Sequence, residues 1–188
     1  MSAYSLTSQN NSTLIQLKDF FSEQVPVLLK KGESFLEYGE PNQKLGILLN
    51  GLLYATYVGE NGQEWISRFF YTPNNAIISS HDSFLLGENS TESIRAYEDS
   101  ELIFVTKTEY DSMLKTNIQL QELVMRMAEE SYVNALKRAH MLQSLTASQR
   151  VKRFVNEHGD LVSRVQRQHV ASYLGIHRNI FTRILNKI

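Results

Sequence analysis

The 188-residue chain contains no cysteine. This absence excludes disulfide bonds, thiolate-bound metal ions, cysteine-held iron–sulfur clusters and a cysteine nucleophile. The sequence also lacks any apolar run near the roughly 18 residues that a transmembrane helix needs. Its first twenty residues, MSAYSLTSQNNSTLIQLKDF, lack the basic start and apolar core of an export signal. We therefore expect a cytoplasmic protein with no membrane anchor, no metal ion and no other cofactor.

The net charge of −1 hides an uneven distribution. Residues 146–188 hold eight Lys and Arg against two Asp and Glu, a net charge of +6, so the rest of the chain carries −7. A small basic end on an acidic body is typical of a module that binds a polyanion. The alternative is that these charges form an ordinary solvated face.

Short apolar runs separated by glycine fill residues 25–105. Their regular spacing predicts seven or eight short strands in a sandwich or barrel. Asn61-Gly62 lies between LLYATYV and EWISRFF and predicts a tight hairpin with both residues at positive φ. A short helix over residues 11–24, with Ser12 as its N-cap, is expected to precede the strands.

Signatures of catalysis are missing from the predicted barrel. It offers one histidine, His81, and no histidine pair with a carboxylate at metal-binding spacing, no phosphate loop and no serine elbow. With no cysteine, His81 is left as the only barrel histidine that could be an axial haem ligand, and a surface loop position is the simpler interpretation. We therefore expect a binding protein and not an enzyme.

A long helix is predicted from Ile118 to about Gln143. At 1.5 Å per residue a run of about 26 residues is about 39 Å long, longer than a small barrel needs for cover. Part of its apolar stripe is therefore expected to meet the same helix of a second copy, and packing wholly on its own barrel is the alternative. The apolar positions recur at three- and four-residue steps: Leu120, Val124, Met127, Ala128, Tyr132, Ala135, Ala139 and Leu142.

A further helix is expected to begin at Thr146, because Gln149 three residues later completes a capping box. Gly159 is expected to end this helix in the left-handed conformation. The segment that follows, RQHVASYLGIHRNIFTRILNKI, predicts two short amphipathic helices with a sharp turn at Gly175.

The second of these helices is expected to present a polar face with the chemistry of DNA recognition. Arg178 and Arg183 can pair with guanine or phosphate, Asn179 can pair with adenine, and Ile180 can contact a thymine methyl group. Arg167 and Gln168 begin the first helix and are placed for phosphate contacts. A helical hairpin that serves only for packing is the alternative. The full predicted outward set is His177, Arg178, Asn179, Ile180, Thr182 and Arg183.

The order of barrel, long helix, capped helix and helix-turn-helix resembles the Crp/Fnr family of bacterial transcription regulators. VASYLGIHRNIFTRILNKI is similar to the helix-turn-helix signature of that family, and KKGESFLEYGEP and LLNGLLYATYV are similar to the opening strands of its cyclic-nucleotide-binding fold. The resemblance implies a homodimer on a two-fold symmetric double-stranded DNA operator. RNA polymerase is a further candidate partner.

The implied fold is of the α+β class. Residues 1–116 would form a double-stranded β-helix, or jelly-roll-like barrel, residues 117–143 the dimerisation helix, and residues 144–188 the helix-turn-helix domain. Family members usually continue into a β-hairpin wing that contacts the DNA backbone. The sequence ends at Ile188, so we expect a winged-helix-like module lacking most of the wing, with fewer phosphate contacts.

The region that would hold a cyclic nucleotide departs from the family pattern. Cyclic-nucleotide receptors of the family hold the ribose with a Gly-Glu pair and the phosphate with an Arg-Ser pair. Here Gly87-Glu88 lies too close to the next strand, and Ser90 and Thr91 take the place of the second pair. A buried phosphate without an arginine would be uncompensated, so we expect no useful binding of cAMP or cGMP.

The barrel keeps weaker candidates for an effector site. Arg68 and Arg95 are possible anion partners, although each is more simply an exposed strand residue. An unknown small-molecule effector and an orphan dimer that is competent without one both stay open. The alternative function is a small-molecule-binding barrel whose helical C-terminus serves packing or protein interaction.

Overall fold

The computed structural model describes residues 14–72 and 75–188. The chain divides into two compact units, Met1–Val124 and Met125–Ile188. The first is mainly antiparallel β-structure and the second is helical, so the expected mixed α+β class is confirmed. The predicted N-cap Ser12 lies outside the described residues. None of the helices in the described part combines the length and apolar character that crossing a bilayer requires.

The described part of the first unit contains eight strands in two four-stranded antiparallel sheets, as the spacing of apolar runs predicts. The strands are β1 (Val27–Leu29), β2 (Ser34–Leu36), β3 (Lys44–Asn50), β4 (Leu52–Val58), β5 (Glu64–Tyr71), β6 (Ile77–Ile78), β7 (Ser93–Ala96) and β8 (Ser100–Thr106). One sheet has the order β1-β8-β3-β6 and the other the order β2-β7-β4-β5. Residues 14–20 form helix α1, α2 is His81–Leu86 between β6 and β7, and α3 is Lys107–Thr116 after β8.

Alternating inward side chains of both sheets build the core of this unit. Ile47, Leu53, Ile94 and Leu102 are fully buried. The turn from β3 to β4 passes so close to β8 that Gly51 is required there: its φ is 111°, and a Cβ atom would lie 2.6 Å from Ser100 Cα.

The predicted hairpin is present, but its turn is not the predicted one. β4 and β5 are joined by residues 59–63, with the Gly59 amide donating to the Gln63 carbonyl over 2.9 Å. Gly62 has a φ of 76°, whereas Asn61 does not have a positive φ. A five-residue connection needs one left-handed residue and not two, and the side-chain oxygen of Asn61 accepts from the Gln63 amide over 3.1 Å instead.

The long predicted helix is present as α4 (Ile118–Ser144), which begins in the first unit and ends in the second. Four shorter helices follow: α5 (Ala147–Glu157), α6 (Gly159–Arg164), α7 (Arg167–Tyr173) and α8 (Arg178–Leu185). α5 packs against α6 and α8, and α7 packs against α8. Their buried side chains are Val151, Phe154, Leu161, Val165, Val170, Ala171, Leu174 and Phe181.

The ends of α5 bear out one prediction and correct another. The capping box is formed, since Thr146 Oγ1 accepts from the Gln149 amide and Gln149 Oε1 accepts from the Thr146 amide. Gly159 does not end α5 in the left-handed conformation. His158 ends α5 at a φ of −138°, and Gly159 begins α6 directly. Because the next helix begins at once, no left-handed reversal is needed there.

Candidate nucleic-acid interface

The helices α7 and α8 are joined by a four-residue turn whose shape depends on Gly175. Its φ is 63°, which a residue with a side chain rarely adopts. The Ile176 amide donates to the Ala171 carbonyl over 3.0 Å and closes the end of α7. His177 then caps α8, because its Nδ1 accepts from the Asn179 amide over 3.3 Å.

The α8 helix has one buried face and one exposed polar face. Phe181 is fully buried, and Ile184 and Leu185 are half-buried beside it. The exposed members of the predicted outward set are His177, Arg178, Asn179 and Arg183. The helix therefore presents hydrogen-bonding side chains to solvent while its apolar side holds it to α5 and α7.

Thr182 and Ile180 lie at the margins of this polar face, where each is half-buried. Ile180 contributes to an open groove of about 450 Å³ between α8 and the N-terminus of α5. It is therefore less exposed than an outward contact residue would be. The other lining residues are Thr146, Ala147, Ser148, Lys152, Arg183, Ile184, Lys187 and Ile188.

This groove brings Arg183 together with two basic residues that the sequence interpretation did not single out, Lys152 and Lys187. Lys152 from α5, Arg183 from α8 and Lys187, which follows α8, line it together with the first residues of α5. The N-terminus of an α-helix carries free amide donors and partial positive charge, so cations beside it add to an anion-attracting surface. The signals in the sequence were the capping box at Thr146, which marks a helix N-terminus, and the basic residue Lys152 six positions later.

Arg167 and Gln168 lie where the sequence places them. Both are exposed in the first turn of α7, which begins after Gln166 without a side-chain cap. The Gln168 side-chain amide donates to Gln166 Oε1 over 3.0 Å. Arg167 and Gln168 thus flank the amide donors of the α7 N-terminus.

Three of the eight cations of the basic end are engaged within the unit. Arg153 pairs with Glu157 at 3.0 Å, Arg164 pairs with Asp160 at 3.7 Å, and Arg150 donates to backbone carbonyl groups. The other five are exposed: Lys152, Arg167, Arg178, Arg183 and Lys187. The surface available to a polyanion is therefore smaller than the sequence charge suggests.

A second exposed surface lies along α4. Residues 128–137 are all exposed. Met125, Tyr132 and Leu136 are 66%, 66% and 52% exposed, which is unusual for apolar side chains along a single helix. We call the apolar positions on this side the α4 stripe: Met125, Ala128, Tyr132, Ala135, Leu136 and Ala139. The seven-residue spacing of Met125, Tyr132 and Ala139 is that of a helix-pairing seam.

Three of the four candidate effector residues, Arg68, Ser90 and Thr91, lie in a polar network near α2. Arg68 contacts Glu92 as an ion pair and donates to the Ser79 carbonyl over 3.2 Å. Arg68 is 29% exposed and Glu92 16%, so this arginine is neither an open anion site nor a freely exposed strand residue. Arg68 Nη1 also lies 3.0 Å from His81 Nδ1, and burial together with the Arg68 charge lowers the pKa of His81.

Arg95 is paired as well. It lies 2.9 Å from Glu37 Oε2, with side-chain exposures of 36% and 42%. Burial alone would raise the pKa of Glu37, but the hydrogen bonds from Arg95, Ser34 and Ser93 and the charge of Arg95 together outweigh it and hold that pKa below its ordinary value. Both candidate arginines of the barrel thus already hold a carboxylate.

Ser90 and Thr91 belong to the same polar network. Ser90 is buried, and its hydroxyl lies 2.9 Å from Ser80 Oγ and 2.8 Å from the Glu92 carbonyl. Thr91 is exposed and donates to Asp82 over 3.2 Å. Among residues 14–72 and 75–188, no group of three or more His, Asp or Glu side chains is placed to hold a metal ion.

The architecture of the chain is therefore an antiparallel β-unit followed by a long helix and a small helical unit. Residues 26–117 match the family model of the cyclic nucleotide-binding domain. No curated protein sequence matches the chain.

Solved structures of bacterial proteins share the fold. FixK2 from Bradyrhizobium japonicum is 17% identical with a TM-score of 0.75, over 87% of this chain and 83% of that one. The c-di-GMP responsive global regulator CLP from Xanthomonas campestris is 14% identical with a TM-score of 0.71, over 91% and 89%.

A regulator of the Crp/Fnr family from Eubacterium rectale is 16% identical with a TM-score of 0.67, over 90% and 81%. At these identities the structural likeness establishes the fold. Together with the domain match, it confirms the coarse α+β fold that the resemblance to the Crp/Fnr family implies.

Proposed function

We propose that the chain is a sequence-specific DNA-binding transcription regulator of the Crp/Fnr type that acts as a homodimer. The observation that carries this proposal is α8, which buries Phe181 and presents Arg178, Asn179 and Arg183 to solvent just after a sharp turn. We interpret α7 and α8 as a helix-turn-helix, whose second helix enters the DNA major groove. The regulators with the same fold support this interpretation.

In this proposal the polar face of α8 reads base edges. Arg178 and Arg183 are long enough to place a guanidinium on guanine O6 and N7, and Asn179 can pair with adenine N6 and N7. His177 and Thr182 supply further hydrogen-bonding groups at the start and margin of the face. Ile180 can reach a thymine methyl group only with its exposed edge, since the rest of the side chain lines the groove beside α5.

The DNA backbone is bound on both sides of α8. The N-terminus of α5 with Lys152 and Lys187 provides one phosphate site, and Arg167 and Gln168 at the N-terminus of α7 provide another. Each phosphate neutralised releases counterions and adds about 0.9 to the salt dependence of binding. Lys152 and Lys187 therefore extend the predicted DNA-contacting set.

The homodimer forms through the α4 stripe. Tyr132 and Leu136 expose apolar surface that the same stripe of a second copy, related by a two-fold axis, would cover. The small side chains of Ala128, Ala135 and Ala139 allow the two helices to approach closely. Two copies related by a two-fold axis would present two α8 helices to successive major grooves, about 34 Å apart. The operator would then be a palindrome.

The β-unit does not respond to cAMP or cGMP in this proposal. We interpret the strand orders β1-β8-β3-β6 and β2-β7-β4-β5 as a jelly-roll barrel of two Greek keys. A cyclic nucleotide phosphate on Arg68 or Arg95 would have to displace Glu92 or Glu37. Glu92 is only 16% exposed, so stripping it of Arg68 carries a considerable cost that disfavours the exchange. The Arg95–Glu37 pair is more exposed and opposes the exchange less.

A salt titration with Arg183→Ala tests the DNA-binding role. We expect the variant to bind its operator duplex about 5- to 150-fold more weakly, because a bidentate contact to a base contributes about 1–3 kcal/mol. Arg153→Ala is the matched control, since Arg153 is held by Glu157 and does not line the groove beside α8. The alternative function, a small-molecule-binding barrel with a helical packing module, predicts no operator and no difference between the two variants.

A further inference from the structure

Arg150 is counted with the basic end in the sequence, but its side chain is directed into the helical unit. Its Nη2 donates to the Leu142 carbonyl over 2.6 Å, its Nε to the Leu145 carbonyl over 3.0 Å, and its Nη1 to the Leu174 carbonyl over 3.1 Å. One guanidinium thus connects α5 to the end of α4 and to the end of α7.

These carbonyl groups are the ones that helices leave without partners. Leu142 lies in the last turn of α4, and Leu174 is the C-cap of α7. The C-terminal end of a helix carries unpaired carbonyl groups and partial negative charge, so a cation there both pairs with and neutralises it. Lysine could not replace Arg150, because a single ammonium group cannot reproduce the planar fork that spans three carbonyl groups.

Arg138 makes a second connection to the same end of α7. Its Nη2 donates to the Tyr173 carbonyl over 3.0 Å, and its guanidinium lies 4.0 Å from the centre of the Tyr173 ring. The Tyr173 ring packs in turn on the ring of Phe154 of α5, with 5.7 Å between the two ring centres. The last residue of α7 and its C-cap are therefore each held by an arginine, one from α4 and one from α5.

We propose that Arg138 and Arg150 are positioning residues for α8. They fix the C-terminal end of α7, and with it the turn through Gly175, against the last turns of α4. Since α8 begins three residues after Gly175, its direction relative to α4 is set by these contacts. This inference rests on the proposed function: neither arginine touches DNA, and both orient the helix that does.

The test compares Arg150→Lys and Arg138→Lys with Arg153→Lys, because Arg153 on α5 pairs with Glu157 and with none of the carbonyl groups that Arg150 and Arg138 hold. Binding to the operator and to an unrelated duplex is measured over a range of salt concentrations, and circular dichroism monitors folding. We expect each positioning variant to bind the operator about tenfold or more weakly, as expected when hydrogen bonds from a charged group are lost. Binding to unrelated DNA and the salt dependence should stay unchanged, because electrostatic binding does not require a fixed orientation of α8. Arg153→Lys should bind like the wild type.

Three results would overturn the inference. In the charge-removing variants Arg150→Gln and Arg138→Gln, a salt dependence reduced by about one would make the arginine a direct phosphate contact, since lysine would keep the charge. If Arg150→Lys is folded and binds the operator as tightly as the wild type, Arg150 contributes to stability alone. If Arg150→Lys is unfolded at the assay temperature, the same comparison is made with Arg138→Lys, and unchanged operator affinity of that variant overturns the inference. Unfolding of both variants would likewise assign the two arginines a purely structural role. Failure of the proposed function is distinct, because then the wild type itself would show no preference for any duplex.

Discussion

Replacing Leu136 by alanine should weaken the dimer without unfolding the chain. Leu136 is 52% exposed on α4, and a second copy is proposed to cover that exposed half. Alanine is the best helix former, so α4 itself loses nothing by the change. Asn134→Ala is the matched control, because Asn134 is exposed two residues earlier on the opposite side of the helix.

The size of the effect follows from the exposed fraction. Fully burying a leucine side chain contributes about 1.5–3 kcal/mol, so covering half of it contributes about 0.8–1.5 kcal/mol. Because the two copies are related by a two-fold axis, the substitution removes this contribution twice, about 1.6–3 kcal/mol for each dimer. At 1.4 kcal/mol for each factor of ten, the dimer dissociation constant should rise about 15- to 140-fold.

Sedimentation equilibrium over a range of protein concentrations measures that constant directly. The wild type and Asn134→Ala should dimerise alike, and Leu136→Ala should shift to monomer at the concentrations where they remain dimeric. If Leu136→Ala and the wild type agree within about twofold, the α4 stripe is not the dimer interface and the reasoning is refuted.

Three further predictions concern the β-unit and the helical unit. Titration calorimetry with cAMP or cGMP should show no binding, and micromolar binding of either would contradict the assignment of Arg68 and Arg95 to internal carboxylates. Because burial lowers the pKa of His158 below the value of about 6.5 in the unfolded chain, its contribution to stability is present above about pH 6.5 and lost as the pH falls toward the lowered pKa. Thermal unfolding at about pH 7.5 and 5.5 should show this loss, which His158→Gln should diminish; an equal loss in the variant would assign it to other groups. Phe181→Ala should destabilise the helical unit by about 3–5 kcal/mol, since the ring is fully buried. The unfolding temperature of the β-unit should not change. A shift of both unfolding transitions would show that the two units unfold together.

The order of the helices and strands could be predicted from local patterns in the sequence. The strands of the β-unit follow apolar runs separated by glycine, and the start of α5 follows a capping box whose two hydrogen bonds join residues three apart. Such features depend on neighbours in sequence, so they can be predicted before the fold is known. The turn at Gly175 belongs to the same group, because one residue must adopt a positive φ there.

Contacts between residues far apart in sequence could not be predicted in this way. Arg150 looked like part of a polyanion-binding end, but its Nη1 donates to Leu174, 24 residues away. Arg68 looked like an exposed strand residue, yet it pairs with Glu92 across the same separation in sequence. A charge in a sequence shows that a side chain can bind an anion or a carbonyl group, but only the fold decides which partner it meets.

Selection from random-sequence duplex DNA with the purified chain, without added ligand, tests the central claim most directly. The account predicts enrichment of a palindrome whose half-sites are about one helical turn apart, bound with a steep dependence on salt concentration. If the protein is dimeric and no sequence is enriched, the α8 face does not read DNA in the free protein. That result would contradict the account in its present form.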